Sequence, residues 1–410
     1  FELAPFPRTE NSIIPHIFPT AHRKSLIDRC EKTVLGIVEQ LSAGQLPSVS
    51  YRMSTIETLM EQLESLNSES VTTESDPATC AGFEACSVFE NPESMDTESV
   101  NHESEESPMD SSGQRRLIDF GLERSRNKLA LMMTTMAKVH GLLVSGRTET
   151  RRSFFYELKG DEAASRSVNK QRQVDRIVNN LANLLGCAPW EMGLVASAKG
   201  LAAGEMTLRL SDDSEINFDS LEGVLIPRNI CNATSIRTKA KLVIVVEKDT
   251  VFQKLLDECC PCRLSCILIT GKGFPDVATR MLVKILAEKV ELPVYLLVDA
   301  DPYGMEIMFT YKYGSINLSC ERESLACPTI RWLGLRPSEL SVDLTIPTIP
   351  LTDADISKLA TLQSRPYVDE VLSSELKIMK NGKSEIEAIG GDSTWIVAYL
   401  QLKIDSENYI

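Results

Sequence analysis

Leu242-Val243-Ile244-Val245-Val246-Glu247, Ile267-Leu268-Ile269 and Val294-Tyr295-Leu296-Leu297-Val298-Asp299-Ala300-Asp301 decide the fold. Each contains an unbroken apolar run, residues 242–246, 267–269 and 294–298, rich in β-branched residues, and a strand apolar on both faces belongs to a parallel sheet covered by helices on either side. Helical patterns separate the runs, over residues 250–258 and 275–290. The order βαβαβ predicts a doubly wound sheet with right-handed crossovers. The chain beyond it, to residue 410, is mixed and less readable.

Ligands of such sheets gather beyond the carboxyl ends of the strands. Glu247 ends the first run there, and Asp299 and Asp301 end the third. The two aspartates are two residues apart, so in extended chain they point the same way, and an adjacent parallel strand brings Glu247 alongside. Three oxygen donors on one edge suit a Mg2+ that keeps several waters and holds a phosphate. Gly271-Lys272-Gly273 lacks the spacing of a phosphate-binding P-loop, so ATP binding is not predicted. Cys259, Cys260, Cys262 and Cys266 have neither a second cysteine pair nor a nearby histidine, so zinc is not predicted either.

Upstream, residues 117–143 read as a helix, with Leu129, Met132, Met136 and Val139 available for burial, and Ser145-Gly146 ends it. A second, short helix follows Thr148 and contains Ser153-Phe154-Phe155-Tyr156. A third carries Val174, Ile177, Val178, Leu181 and Leu185 as one stripe, with Arg172 and Arg176 on the opposite face. Residues 206–210 and 215–218 then read as a hairpin. Three helices followed by a hairpin describe a winged-helix, helix-turn-helix type of domain whose basic helix face can enter a DNA groove. The predicted class is therefore α/β and α+β multidomain, a winged-helix domain preceding a parallel α/β domain.

The net charge of −15 argues against a polyanion partner only until its location is considered. Residues 53–114 contain no Lys or Arg and hold fifteen Asp and Glu; without them 43 acids face 43 bases. The rest of the chain is balanced, leaving room for basic surfaces. That segment is also rich in Ser and Thr and poor in large apolar residues, so residues 67–113 are expected to be disordered. Ser99, Ser104 and Ser107 stand among its acids as candidate phosphorylation sites. Before it, residues 21–41 form an amphipathic helix suited to docking on a partner subunit or on its own chain. The expected domains are 1–52, 53–114, 115–238 and 239–410. No apolar run is long enough for a membrane span and no secretory signal is visible. Eleven cysteines without regular spacing suit a reducing compartment, and the protein reads as soluble and intracellular.

Several ordered segments together carry a resemblance. They are residues 245–249 (Val-Val-Glu-Lys-Asp), 269–276 (Ile-Thr-Gly-Lys-Gly-Phe-Pro-Asp), 297–304 (Leu-Val-Asp-Ala-Asp-Pro-Tyr-Gly), 311–315 (Tyr-Lys-Tyr-Gly-Ser) and 330–334 (Ile-Arg-Trp-Leu-Gly). This set resembles the Toprim half of the meiotic double-strand-break transesterases, eukaryotic relatives of the A-type component of type VI topoisomerase. Residues 197–204 resemble the family's Ser-Lys-Gly-Leu segment, and residues 152–156 its Arg-Asp-Ile-Tyr-Tyr motif. The likeness covers roughly residues 115–366. Phe155 stands where the family often has a first tyrosine, so only Tyr156 can be the nucleophile, and Ser153 replaces the family's acid.

The resemblance implies that Tyr156 attacks a DNA phosphodiester, becomes linked to the 5′ end and releases a 3′ hydroxyl. A phenol with a pKa near 10 needs a proton acceptor and a neighbouring cation to act so. Arg152, one helical turn earlier, is the expected cation, and Arg151 is less well aligned. Mg2+ on Glu247, Asp299 and Asp301 orients the phosphate. Lys199, Lys272 and Phe274 join Arg172 and Arg176 as expected DNA contacts. One tyrosine cuts one strand, so a double-strand break needs a homodimer on double-stranded DNA, each tyrosine meeting the other protomer's metal site. The likeness also implies a B-type ATPase-like subunit, other meiotic break-forming proteins, and action in the nucleus on the chromosome. The alternatives are a catalytically vestigial DNA-binding scaffold and a type VI-like topoisomerase A component that reseals its breaks.

Overall fold

The computed structural model describes residues 20–52, 115–161, 168–314, 325–342, 345–389 and 394–410. The acidic segment expected to be disordered, with Ser99, Ser104 and Ser107, and also Ser315 lie outside the described residues. The chain divides into two compact units, Ile37–Leu129 and the combination of Phe1–Gly36 with Ala130–Ile410.

Helix α1 spans Thr20–Ser42. In the smaller unit, strand β1 (Ser48–Arg52) pairs antiparallel with β2 (Arg115–Asp119), Arg52 lying opposite Arg115. The two paired strands are thus the described residues on either side of the acidic segment in sequence. This corrects the helix expected over residues 117–143: residues 117–119 are strand, and α2 is Glu123–Ser145. The reason is local. Asp119 Oδ1 accepts from the Gly121 amide at 2.8 Å, a turn that ends the strand before the helical pattern begins.

In the larger unit, β3 (Glu149–Thr150) pairs parallel with β4 (Leu194–Val195). Between them lie α3 (Arg151–Gly160) and α4 (Gln171–Leu185). Thr150 caps α3 by accepting from the Ser153 amide at 3.1 Å, and Gly186, at φ 61°, ends α4 in the left-handed region that glycine enters without strain. The stripe Val174, Ile177, Val178, Leu181 and Leu185 is buried. The chain continues through β5 (Leu201–Ala203), β6 (Met206–Leu210), β7 (Glu215–Asn217), β8 (Val224–Leu225) and β9 (Ala233–Thr238). Strands β6 and β7 form the expected hairpin, but β9 adds to the free side of β6, so the sheet has three strands.

The main sheet contains β10 (Leu242–Val246), β11 (Cys266–Thr270), β12 (Val294–Leu297) and β13 (Arg331–Gly334) in the order β13-β12-β10-β11-β5-β8. The first four are mutually parallel. Strands β5 and β8 extend the edge antiparallel, so the sheet is mixed and recruits chain from before residue 239. Helix α5 is Asp249–Asp257, α6 Cys260–Arg263, α7 Val277–Glu288, α8 Pro302–Tyr313, α9 Pro337–Val342, α10 Asp353–Gln363, α11 Glu370–Ile378 and α12 Thr394–Asp405.

The continuous apolar runs are explained by two cores that share the strands residue by residue. Val243, Val245, Ile267, Ile269, Val294 and Leu296 pack with residues of α7, α8, α10 and α11. Their neighbours Ile244, Val246, Leu268, Tyr295 and Leu297 pack with α5 and α12. Strand side chains alternate between faces, so a sheet with helices on both sides requires apolar residues at every position. Each fully buried Val, Leu or Ile contributes roughly 1.5–3 kcal/mol. This fixes the sheet and hence the place where its carboxyl edge opens. Among the described residues no helix is long and apolar enough to cross a membrane.

Candidate active site

At the carboxyl edge β10 lies directly beside β12, with Val246 opposite Leu297. The Glu247 amide donates to the Leu297 carbonyl at 3.0 Å, and the Asp299 amide donates to Glu247 Oε2 at 2.9 Å. Topology thus brings the two strand-end acids together. Asp301 begins α8, its Oδ1 accepting from the Gly304 amide at the helix N-terminus. Gly304 has to be glycine for space: a Cβ there would sit 2.3 Å from the Asp299 carbonyl oxygen.

Asp299 is buried, at 4% exposure. Its Oδ1 accepts from the Ile386 amide at 2.8 Å and its Oδ2 meets Lys248 Nζ at 2.9 Å. Lys248 also contacts Glu387 at 3.0 Å and Glu385 at 3.3 Å. Burial first, then the charges of Asp299 and Asp301, push the Glu247 carboxyl up to about 8. Burial likewise raises Asp299 and Asp301 above the ordinary carboxylate range.

Among the described residues, no three His, Cys, Asp or Glu are placed as a ready ligand set for one ion. Asp299 is turned to Lys248 and Ile386, and Asp301 to its helix. The donor chemistry nevertheless fits Mg2+. That ion takes oxygen ligands, needs only one or two carboxylates beside waters and phosphate oxygens, and relieves the repulsion that raises Glu247. Glu247, Asp299 and Asp301 are the residues that would hold it.

Helix α3 carries the other candidate group. Phe154, Phe155 and Leu158 face inward, whereas Tyr156 is 57% exposed, its ring edge-on to Phe155 with centroids 5.2 Å apart. Arg152 is exposed on the same helix one turn earlier. Arg151 is instead half-buried and approaches Asp175 of α4 at 4.0 Å. The structure therefore separates the two arginines, leaving Arg152 exposed one helical turn before the tyrosine. Arg172 and Arg176 are exposed on α4.

Lys199 and Lys272, seventy-three residues apart, are brought together, Lys199 Nζ donating to the Lys272 carbonyl at 3.1 Å. Asp276 ties their two loops. Its Oδ2 accepts from the amides of Lys199 at 2.6 Å and Gly200 at 3.2 Å, while Oδ1 accepts from the Thr279 amide, capping α7. Lys272 also pairs with Asp249 at 3.2 Å, and Phe274 is half-buried against the core. Sequence reasoning missed Lys248, Glu387 and the tether role of Asp276. Lys248 is adjacent to Glu247 and was findable by position, but Glu387 reaches the edge only through the fold.

The Toprim domain of the topoisomerase 6 A-subunit/Spo11 family matches residues 242–404, and the type IIB DNA topoisomerase family matches residues 127–194. The chain is 38% identical over 283 residues to the human meiotic recombination protein SPO11, covering 67% of this chain and 70% of that one. It belongs to the topoisomerase VI A/Spo11 family. The mouse meiotic recombination protein SPO11 is 37% identical over 286 residues, again 67% and 70% of the two chains. The A3 subunit of DNA topoisomerase 6 from Oryza sativa subsp. indica is 33% identical over 304 residues, 71% of this chain and 66% of that one. Membership makes the chain a topoisomerase-like, DNA-cleaving enzyme with a Toprim domain, a fold that generally binds divalent metal. The matched Toprim region contains all three strand-end acids, and the type IIB region contains Arg152 and Tyr156.

Proposed function

We propose that this chain makes meiotic DNA double-strand breaks by transesterification, with Tyr156 as nucleophile. The observation that carries the reading is the exposure of Tyr156 and Arg152 on one helix whose two phenylalanines are buried. A tyrosine in Phe-Phe-Tyr is ordinarily core, and exposing its ring has a cost that a reactive role accounts for.

The Tyr156 oxygen forms a bond to phosphorus while the bond from phosphorus to the 3′ oxygen breaks. The phenolic proton is balanced by the proton on the departing 3′ hydroxyl. Arg152 stabilises the charge on the pentacoordinate phosphorus oxygens. Glu247, Asp299 and Asp301 would hold Mg2+, which supplies neutralisation and orientation of the phosphate. Lys199, Lys272, Phe274, Arg172 and Arg176 would engage the duplex, the backbone contacts fixing register. The three helices and the three-stranded sheet serve as the winged-helix part. Two protomers act on one duplex, each tyrosine working at the partner's acidic edge. Helix α1, with Val34, Leu35, Val38 and Leu41 exposed, would dock the B-type subunit. Action of this kind belongs to the nucleus and its chromosomes. The names of the human and mouse relatives support the meiotic role.

The test is detection of a covalent protein–DNA adduct, formed with a B-type partner, in wild type and Tyr156→Phe. The variant should form none while retaining fold and DNA binding, and an undiminished phosphotyrosyl adduct in it would overturn the assignment. The rice topoisomerase relative favours a second reading, a cleavage that is resealed. Relaxation of supercoiled plasmid without net breakage would select it.

A further inference from the structure

Lys248 immediately follows the strand-end acid Glu247 and sits among carboxylates from two parts of the chain. Its Nζ is 2.9 Å from Asp299 Oδ2, 3.0 Å from Glu387 Oε2 and 3.3 Å from Glu385 Oε2. Thr250 Oγ1 donates to Glu387 Oε1 at 2.9 Å and orients that carboxylate toward the lysine. The segment bearing both glutamates is fixed to the acidic loop. The Ala300 amide donates to the Ser384 carbonyl at 2.9 Å, and Ile386 holds Asp299. The acids that would bind a cation thus already have one, supplied by the chain, together with a separate pair of acceptors within its reach.

We infer that Lys248 is an internal counter-ion that competes with a divalent cation for Asp299, and that Glu385 and Glu387 are the acceptors that keep it when the cation enters. The inference rests on the reading of Glu247, Asp299 and Asp301 as metal ligands. The physical argument is like-charge exclusion. A lysine in contact with Asp299 and a dication on the same carboxylate repel strongly in a partly buried site. One must give way, and the contact to Glu387 already exists, so the lysine can withdraw without a new partner and without a rearranged backbone. Lys383 differs: its ion pair is with Asp355 at 2.7 Å, and its charge reaches Asp301 only through space. A cation affinity lowered in this way ties metal loading to the arrival of a DNA phosphate, whose oxygens supply further donors. Lys248 is then a positioning residue that sets when the site is loaded.

The test is calorimetric titration of MgCl2 into the DNA-free full chain, with thermal unfolding of each variant in EDTA. Lys248→Met should bind Mg2+ about tenfold more tightly than wild type, because a screened like charge has been removed, yet melt at a lower temperature without metal. Lys248→Arg, which keeps the charge, should stay near wild type. Glu387→Gln should bind Mg2+ more weakly, since the lysine loses its alternative acceptor. A merely structural lysine would not raise metal affinity when removed. Unchanged or weaker binding in Lys248→Met, with Asp299→Ala also weakened, would overturn the competition while leaving the metal site standing. Unchanged binding in Asp299→Ala would overturn the site and the inference with it. If the Met variant does not fold, Lys248→Gln, which keeps a hydrogen-bond donor, decides by the same criterion.

Discussion

Gly304→Ala is the substitution on which ordinary helix propensity and the close approach seen here disagree in sign. In a helix interior, alanine is favoured over glycine by roughly 0.8–1.0 kcal/mol. At Gly304, however, the new Cβ would lie 2.3 Å from the Asp299 carbonyl oxygen and 3.1 Å from Asp299 C and N, all of them backbone. No rotamer change relieves that, so α8 must move away from the loop that carries Asp299 and Asp301. Overpacking of this kind costs about 1–3 kcal/mol, and loosening the Asp301 cap costs about 0.5–2 kcal/mol. Set against the propensity gain, the net is roughly 2 kcal/mol destabilising, which for a unit of this size lowers Tm by about 4–8 °C. Gly141, also helical but with nothing within 4 Å of where its Cβ would stand, is the internal control, and Gly141→Ala should raise Tm slightly. Scanning calorimetry on the two variants decides the matter. A Tm for Gly304→Ala equal to or above wild type would show that the Asp-Ala-Asp loop is not held against α8 as described.

The other expectations concern charge and assembly. Glu247 has a folded pKa raised from 4.5 to about 8, so between those values the folded state binds more protons than the unfolded one. Stability therefore falls as pH rises through that window, at most about 1.4 kcal/mol per pH unit. Glu247→Gln should then raise Tm at pH 8 and scarcely at pH 5, and an equal gain at both would refute burial as the cause. Asp276→Ala removes the α7 cap and the tether to Lys199 and Gly200, and should cost about 1–2 kcal/mol; DNA retention in a filter-binding assay should fall with it, and unchanged retention would separate the two lysines from the duplex. Mixing Tyr156→Phe chains with Asp299→Ala chains creates one hybrid site with both groups intact only if sites are shared between protomers. Nicked circles from verified heterodimers are the expected product, and their absence would argue for a site within one chain.

Local pattern made the central strands legible because helices cover both faces, so every residue from Val243 to Val246 is apolar for the same reason. Strands β5 and β8 have only three and two residues and join the sheet through long-range pairing, so no period announces them. Leu117, Ile118 and Asp119 read as helix since their apolar spacing merges with that of α2, and the pairing partner that makes them strand lies beyond sixty intervening residues. Tyr156 shows a limit of another kind. Phe154 and Phe155 gave the stretch a core-like composition, while only the register of α3 turns the third aromatic outward.

The acidic edge was legible as three carboxylates and illegible as an electrostatic unit, and the difference lies in the chain after residue 380. That stretch offers no period and no motif. Yet Ile386 supplies an amide to Asp299 across eighty-seven residues, and Ser384 pairs with Ala300. Lys248 is met by Glu387 across one hundred and thirty-nine. A carboxylate as buried as Asp299, with half-buried Glu247 beside it, requires compensation, since a desolvated charge unmatched by a partner costs several kcal/mol. The strands alone do not provide it. Replacing Glu385 and Glu387 together by Gln in the full chain retains Glu247, Asp299, Asp301 and the Ile386 amide but leaves Lys248 with Asp299 as its one charged partner of the three. In that variant the lysine should hold Asp299 more firmly and Mg2+ should bind more weakly than in wild type, as read by titration calorimetry. Equal affinity would mean that the two glutamates act on stability only and that the edge is electrostatically complete without them.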